Sequence, residues 1–491
     1  MSLFFKHVDR AHAPVVYAAL ALVIATLVDG CGAGYRPVVT PINPSGPPPQ
    51  PTSLAVVVSS PGPLLPGVAT IIDYSGDTIV ATSPIGVGPI SFTIDQTGST
   101  GYTFNTDGTV TNFPVSSNLQ QKNVTVTTLP SGTAPVNMFA PSAGLWMADL
   151  NGNLADVFTG SPETFKLSVP VAVTPVMVIG PGVISQRNYV ITQGAVASGV
   201  MCNSSPTTAP LGEADSIEVS NDTISSRIPL GRCPVYALTS PDNKRLFVLN
   251  RGSDTITVIN SQNNTLNACT PFLNQNGQTV TCHPTLPLST AAGLTGANVP
   301  AVAGPVYAEY NTATNQLIVS DYDGGTINVI DVSLDEFGND SATFGTTFTI
   351  PVGGHPASVT ALNDGSRAYT ANQSDQTVTV VNLTSHTVEK SVAVTGHPRT
   401  VVSTQNSLFG KVYVASPDSP YLTIIRTDQD IVDATVLVQG NIMDVRVTTV
   451  NGTSGNPNDV SRKPGYGQPC YLPGAAAEAS YASCTTVPTA P

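Results

Sequence analysis

The chain has 491 residues, of which only 10% are charged, against roughly 25% in an average soluble protein. Its 32 acidic and 19 basic residues leave a net charge of −13, which removes the electrostatic footprint that nucleic acid or an anionic bilayer surface requires. Gly and Pro number 42 each and apolar residues make up 41%, so the chain lies below the roughly 25–30% Gly plus Pro of low-complexity sequences and can build a core.

At the N-terminus, Lys6 and Arg10 precede an apolar run over residues 13–28. That run is short for a bilayer span of about 20 residues and suits the core of a signal peptide, here residues 1–30, with an uncleaved membrane anchor as the alternative. The run ends in Val28-Asp29-Gly30-Cys31, which resembles a bacterial lipoprotein lipobox: an aliphatic residue three before the Cys, a small residue just before it, then the Cys that is lipidated. Asp29 departs from that pattern, where a small neutral residue is usual. The resemblance implies lipidation of Cys31, and Gly32 in place of Asp implies the outer membrane, with the protein facing periplasm or cell surface. Residues 36–51, RPVVTPINPSGPPPQP, are dominated by proline, which removes backbone donors and favours an extended, semi-rigid stalk. Residues 31–51 thus form a tether.

Residues 52–450 carry an internal repeat. A phased proline opens a short apolar run at Gly88-Pro89, Ala134-Pro135, Thr174-Pro175, Cys233-Pro234, Gly304-Pro305, His355-Pro356 and His397-Pro398. The shorter intervals fall near 43 residues. The two overlong units hold Cys202 and the pair Cys269 and Cys282, which fits loop insertions stiffened by disulfides. Within each unit, segments such as RLFVLNRGSDTITVIN (245–260), QLIVSDYDGGTINVID (316–331), RAYTANQSDQTVTVVN (367–382) and KVYVASPDSPYLTIIR (411–426) read as β-hairpins, two β-branched or aromatic runs around a Gly/Asp/Ser/Pro turn. The run after the proline and a last run, as in HTVEKSVAV (386–394), make four strands per unit. Four short strands repeated at this period predict an all-β fold, a β-propeller of four-stranded antiparallel blades.

The hairpins resemble the YVTN repeat, most closely VLN at 248–250 with TITVIN, and YTAN at 369–372 with TVTVVN. The likeness is strongest over residues 231–440. A WD40 propeller fits less well, since the chain has a single Trp, Trp146. SLAVVV (53–58) and VATIIDYSGDTIVAT (68–82) look like the last three strands of a blade, and NIMDVRVTTV (441–450) looks like an opening strand. Joining the ends completes one more blade and removes the last exposed edge. Seven phased units plus this composite one give eight blades, where the family more often has seven. Residues 451–491 form an irregular tail rich in Gly, Pro, Ala and Ser.

Setting Cys31 aside leaves six cysteines, an even number, as expected in an oxidising compartment. Fifteen pairings are open to six cysteines; the short separations suggest Cys269 with Cys282 and Cys470 with Cys484, leaving Cys202 with Cys233. None has the spacing of a zinc site.

Candidate chemistry is sparse. No GxSxG or HExxH occurs, so no catalytic residue is assigned, and neither a metal nor a cofactor is expected. His355 and His397 occupy equivalent positions before the phased prolines and could face the channel mouth as ligand-binding residues, with Arg232 and Arg399 beside them. The plain alternative is that His-Pro is one spelling of the opening turn, and that the arginines are solvated. Asp321-Tyr322-Asp323-Gly324-Gly325 and the 335–340 segment DEFGND crowd carboxylates as calcium sites do, but neither completes an EF-hand loop, and Asp, Asn and Gly are ordinary turn residues. Sparse aromatics weaken, without removing, a glycan-stacking role. These features point to a lipid-anchored envelope propeller that binds or scaffolds an envelope protein or glycan, anchored by its lipid alone and with no nucleic-acid partner. Two alternatives stand beside it. One is a propeller enzyme similar to lactonase-like hydrolases or lyases, the quinone-cofactor branch being weakened by the lack of regular Trp motifs. The other is a structural or adhesive surface protein.

Overall fold

The computed structural model describes residues 54–141, 144–180, 186–195, 210–288, 302–403 and 410–448. The signal segment, Cys31, the tether, Cys202, Cys470, Cys484 and the tail lie outside the described residues. Those described are almost all strand, with one three-residue 3-10 turn at Gln121–Asn123.

Eight antiparallel sheets form an eight-bladed β-propeller. Blade 1 runs Pro89–Ile94, Thr100–Asn105, Thr109–Pro114, Thr125–Thr128 from the axis outward. The inner strands of blades 2 to 7 are Pro135–Phe139, Pro175–Ile179, Pro234–Thr239, Pro305–Asn311, Pro356–Ala361 and Thr400–Ser403. Blade 8 is shared by the two ends of the sequence: Asn441–Val447 is its inner strand, followed outward by Leu54–Ser60, Pro66–Asp73 and Thr78–Val87. Each inner strand touches that of the next blade, and Asn441–Val447 touches both Thr400–Ser403 and Pro89–Ile94, which closes the circle.

Burial explains why the inner strands read as nearly continuous apolar runs. Both faces of a blade pack on neighbouring blades, so strands such as Arg245–Asn250 and Pro356–Ala361 are buried along their whole length and cannot alternate apolar with polar. The outer strands meet water. Thr387–Ala393 in blade 6 is exposed at six of seven positions, and its TVEKSVA sequence places Glu389 and Lys390 on the outer edge, a charge pattern that discourages pairing with another chain.

Strand 2 carries an aromatic residue that clasps the following blade. Tyr102 donates to Glu163 (3.0 Å) and Tyr189 to Asn264 (3.2 Å), while Tyr369 reaches Asp430 and Tyr413 reaches Asp77. All four acceptors stand in the turn between strands 3 and 4 of the next blade; Asn264, Asp430 and Asp77 are in the left-handed region, which short polar side chains tolerate better than most. Two residues earlier, Arg367 and Lys411 pair with the same Asp430 and Asp77. A second lock ties strands 2 and 3 of one blade. The amide of Asn372 donates to Thr377 and Thr379 (3.1 and 2.7 Å), and Asn105 and Asn250 do the same with their own threonines.

The two overlong units differ from each other. In blade 3 the extra length falls between Arg187–Thr192 and Leu211–Glu218. In blade 4 the simple fourth strand is replaced: Thr265–Leu266 and Thr285–Pro287 both pair with Thr255–Asn260, and between them lies a small hairpin of Phe272–Leu273 with Thr279–Val280. The Cys269–Cys282 disulfide closes this excursion, with Cα atoms 5.4 Å apart. Asp340 of blade 5 anchors it, taking hydrogen bonds from Asn267, the His283 backbone and Arg245. Cys233 is disulfide-bonded as well, to a partner outside the described residues.

Candidate functional site

One face of the disc carries the opening loops and the turns between strands 2 and 3, and there the sequence-predicted residues lie. His355 has φ 54°, as Gly88, Thr174, Cys233 and Gly304 do at equivalent positions (φ 54–64°). In five of the seven phased units the opening turn thus takes a left-handed residue before the proline; glycine meets it freely, and a side chain there needs compensation of about 1 kcal/mol. For His355 the compensation is visible. Its ring stacks on Tyr322 of blade 5, with centroids 4.6 Å apart at 10°, and its Nδ1 meets Ser374. His397 lacks the positive φ. It pairs within blade 7, its backbone N–H donating to Asp418 at 2.8 Å and its Nδ1 lying 2.6 Å from the same carboxylate, while Nε2 faces the Gln376 amide.

The arginines also serve the loops. The Arg232 backbone N–H donates to Ser253, and the Arg399 carbonyl accepts from Ser358 in the neighbouring blade. All four candidates thus share a face, and their described contacts hold opening loops in place. The carboxylate-rich segments behave likewise. Asp321 accepts from Thr326 and Asn328, and Asp335 caps the N–H groups of Phe337 and Asn339. On this face Tyr322 also organises a cluster absent from the sequence reading. Arg251 forms a two-point pair with Asp323 (2.9 and 2.7 Å) and lies over the Tyr322 ring, whose hydroxyl donates to Gln373.

The axis offers a different surface. Two inner-strand positions, the second and fourth after the phased proline, lie nearest the axis, and in blades 2, 3, 5 and 6 side chains from them reach across to the next blade. In blade 8, Ile442 takes the place of the proline, pairing with Ser59 as Pro356 pairs with Asn372, so Asp444 and Arg446 take the two positions. The projecting side chains cap backbone N–H groups on the free inner edge of the next blade, groups that would otherwise lack partners. Asn137 accepts from Val178 N, Ser358 from Val401 N, Thr360 from Ser403 N and Glu309 from Ala361 N, each at 3.0 Å.

At the first position the residues are hydroxylic in blades 1, 6 and 7 (Ser91, Ser358, Thr400), Asn137 and Met177 in blades 2 and 3, tyrosine in blades 4 and 5, and Asp444 in blade 8. At the second, charge appears twice, as Glu309 and Arg446. Tyr236 and Tyr307 lie with ring centroids 4.8 Å apart. Burial, then the Glu309 carboxylate, pushes the Tyr307 hydroxyl up to about 12; Arg446 opposes that shift and Asp444 adds to it. These groups from blades 5 and 8 therefore feel one another.

No family model matches the chain, and no curated protein matches it in sequence. Among solved structures it is similar to apo AztD from Citrobacter koseri, at 12% identity over 80% of this chain and 97% of that one, with a TM-score of 0.52. It is also similar to the dihydro-heme d1 dehydrogenase NirN in complex with DHE, at 14% identity over 85% and 78% of the two chains, with a TM-score of 0.56. At such identities the likeness is one of fold.

Two sequence signals for the axial positions were available in retrospect. Both lie at fixed offsets from the phased proline, and both vary between units that otherwise repeat. A groove of about 350 Å³ with mixed polar and apolar walls lies apart from this, on blade 8 beside Pro61, Leu65, Pro66, Ser83 and Gln439.

Proposed function

We propose that the chain is an exported, lipid-anchored envelope propeller of the YVTN-repeat kind that works as a binding module, with its ligand taken at the axis and the loop face around it. One observation carries the reading. The structural positions recur, the strand-2 tyrosine that clasps the next blade in four blades and the Asn/Thr lock within three, while the axial positions differ in nearly every blade. Repetition serves the ring; variety at the axis serves recognition, because loops and channel walls are the parts of a propeller free to change. The ligand class in this reading is an envelope protein or glycan, and anchoring is through Cys31.

The test is capture from the cell envelope by the full-length chain after in vivo crosslinking. A reproducible protein or glycan partner that is lost on substitution of Tyr307 and Arg446 supports the proposal; recovery of nothing removes it. The anchor is tested separately: Cys31→Ser should move the chain from the membrane to the soluble fraction.

A second reading, a propeller hydrolase or lyase, is favoured by the His397–Asp418 contact, since a carboxylate that orients a histidine is a recurring device of acid–base catalysis. Turnover on a lactone panel that disappears in His397→Ala would establish it.

A further inference from the structure

The seam between blades 5 and 6 departs from the clasp that joins other blades. The tyrosine position, third in strand 2, holds Ile318 in Gln316–Asp321 where Arg367–Asn372 has Tyr369, and the basic position two residues earlier holds Gln316. The acceptor position is the left-handed residue just before strand 4. It is Asn264 in blade 4, Asp430 in blade 7 and Asp77 in blade 8, and in blade 6 it is His386, with φ 55°. An isoleucine has no proton to donate, and a different contact stands in for the clasp: the His386 ring lies flat on Phe348 in the outer strand of blade 5, with centroids 3.7 Å apart at 10°.

That contact needs a neutral ring. Nε2 of His386 is buried and has no hydrogen-bond partner among the described residues. A neutral imidazole can carry its proton on Nδ1 and leave Nε2 a bare acceptor, whereas an imidazolium must place an N–H on both nitrogens. The second N–H would be buried without an acceptor, a cost that outweighs the single cation–π contact with Phe348. Charged residues on the strands packed around the ring do not offset it. In blade 5, Asp331 accepts from Ser333, and Asp321 stands at the far end of its strand, taken by Thr326 and Asn328; Thr347–Pro351 carries no charge. In blade 6, Arg367 pairs with Asp430, Glu389 accepts from Asn382, and Lys390 donates to the Gln429 carbonyl. Burial therefore acts alone and holds the His386 ring below its ordinary value of 6.5.

We propose that the outer half of the blade 5 to blade 6 seam is a pH-sensitive joint, closed by neutral His386 stacked on Phe348 and loosened when that ring takes a proton. The inner half is held separately. Glu309 accepts from Thr360 and from Ala361 N, both at 3.0 Å, while Asn311 donates to the Leu362 carbonyl and Tyr322 to Gln373, both at 3.1 Å. Loosening is thus confined to the outer strands, and the ring of blades stays whole. With the joint open, His386 meets water and takes a proton near its ordinary value; with the joint closed it does so only at lower pH. The joint is therefore firmest above about pH 6.5, weakens as pH falls between the two values, and weakens no further below them. This device belongs to the fold and does not depend on which ligand the propeller takes.

The test is hydrogen exchange of the full-length chain in mild detergent, with rates corrected for the intrinsic effect of pH. From about pH 7 to about pH 5, protection of Thr347–Pro351 and Thr387–Ala393 should fall, by about tenfold for each unit separating the open and closed titrations within that range. Protection of Ile431–Leu437, the matching strand of blade 7, should hold. His386→Asn keeps a residue suited to the left-handed region and does not titrate, so it should flatten the response. Phe348→Ala, at a position 45% exposed, should flatten it too, because the His386 ring then meets water in both states. Loss of protection in the unmodified chain and in neither variant establishes the joint. A response that survives in both variants, an equal loss in Ile431–Leu437, or no response in the unmodified chain would overturn it.

Discussion

Blade 2 replaces the Asn/Thr lock with two acids, Asp149 and Asp156, each about 1% exposed. Asp149 accepts from the backbone of Ala134 and Asn151, and Asp156 from Ser168 at 2.6 Å. Burial pushes both carboxyls up, Asp156 to about 6, with the neighbouring Asp149 charge contributing. A raised folded-state value means that between about pH 4 and 6 the folded chain holds a proton that the unfolded chain releases, so stability falls as pH rises through this window and the penalty stays constant above it. Asp156→Asn keeps the shape, donates to Asp149 and accepts from Ser168. It is expected to raise stability at pH 7 by on the order of 1–3 kcal/mol, with no gain at pH 4, read from denaturant melts at both pH values. A gain of the same size at both would refute the proton argument. His355→Gly, by contrast, exchanges a stacked ring for an unstrained left-handed residue, so thermal melts should show a change within about 1 kcal/mol. A much larger loss would mean that the ring does more than fill the turn.

At the scale of strands, the clasp between blades is the interaction to break. Tyr369→Phe removes one donor from Asp430 while Arg367 remains paired with it, and should cost about 1–2 kcal/mol. Lys411→Met strips the cation from Asp77 at the blade 7 to blade 8 seam, where the lysine side chain is 2% exposed. The cost there should be about 3 kcal/mol, as for a buried pair broken on one side. Chemical denaturation of both variants checks the order. Much of this level was legible in the sequence. The phased prolines, the hairpins and the composite blade follow from period and β-propensity, and the short Cys269 to Cys282 separation foretold the bridge. The clasp was spelled out in RAY and KVY, but its acceptors stand one blade later, 61 residues downstream of Tyr369 and 336 residues upstream of Tyr413, where no local pattern connects them. Nor does the sequence tell which alternate residues of a strand buried on both faces look toward the axis. For that reason His355 and His397, conspicuous as residues, drew attention that Arg446 and Tyr307 did not. The split fourth strand of blade 4 was hidden by its length of two and three residues.

For the molecule as a whole, the ring is closed at the seam in blade 8, where the sequence ends meet. Leu54 and Thr448 exchange hydrogen bonds of 2.8 Å on the face opposite the opening loops, and Asn441–Val447 pairs along Leu54–Ser60. A chain truncated after Gly440 would retain three strands of blade 8 and an unpaired inner edge. It should associate into multimers by light scattering, and an added peptide of sequence NIMDVRVT should restore the monomer. A monomeric truncation with an unchanged melting temperature would refute closure as the source of cohesion.

The seam also sets a timetable. Residues 54–60 leave the ribosome early, with Ala55, Val56, Val57 and Val58 destined to be wholly buried, yet the strand that shields them is made nearly four hundred residues later. During that interval a sticky, β-branched ribbon waits without its mate, a hazard that grows with the delay. A protein built this way depends on whatever escorts the nascent polypeptide, and its yield in a cell lacking such escorts should fall before its thermodynamic stability does.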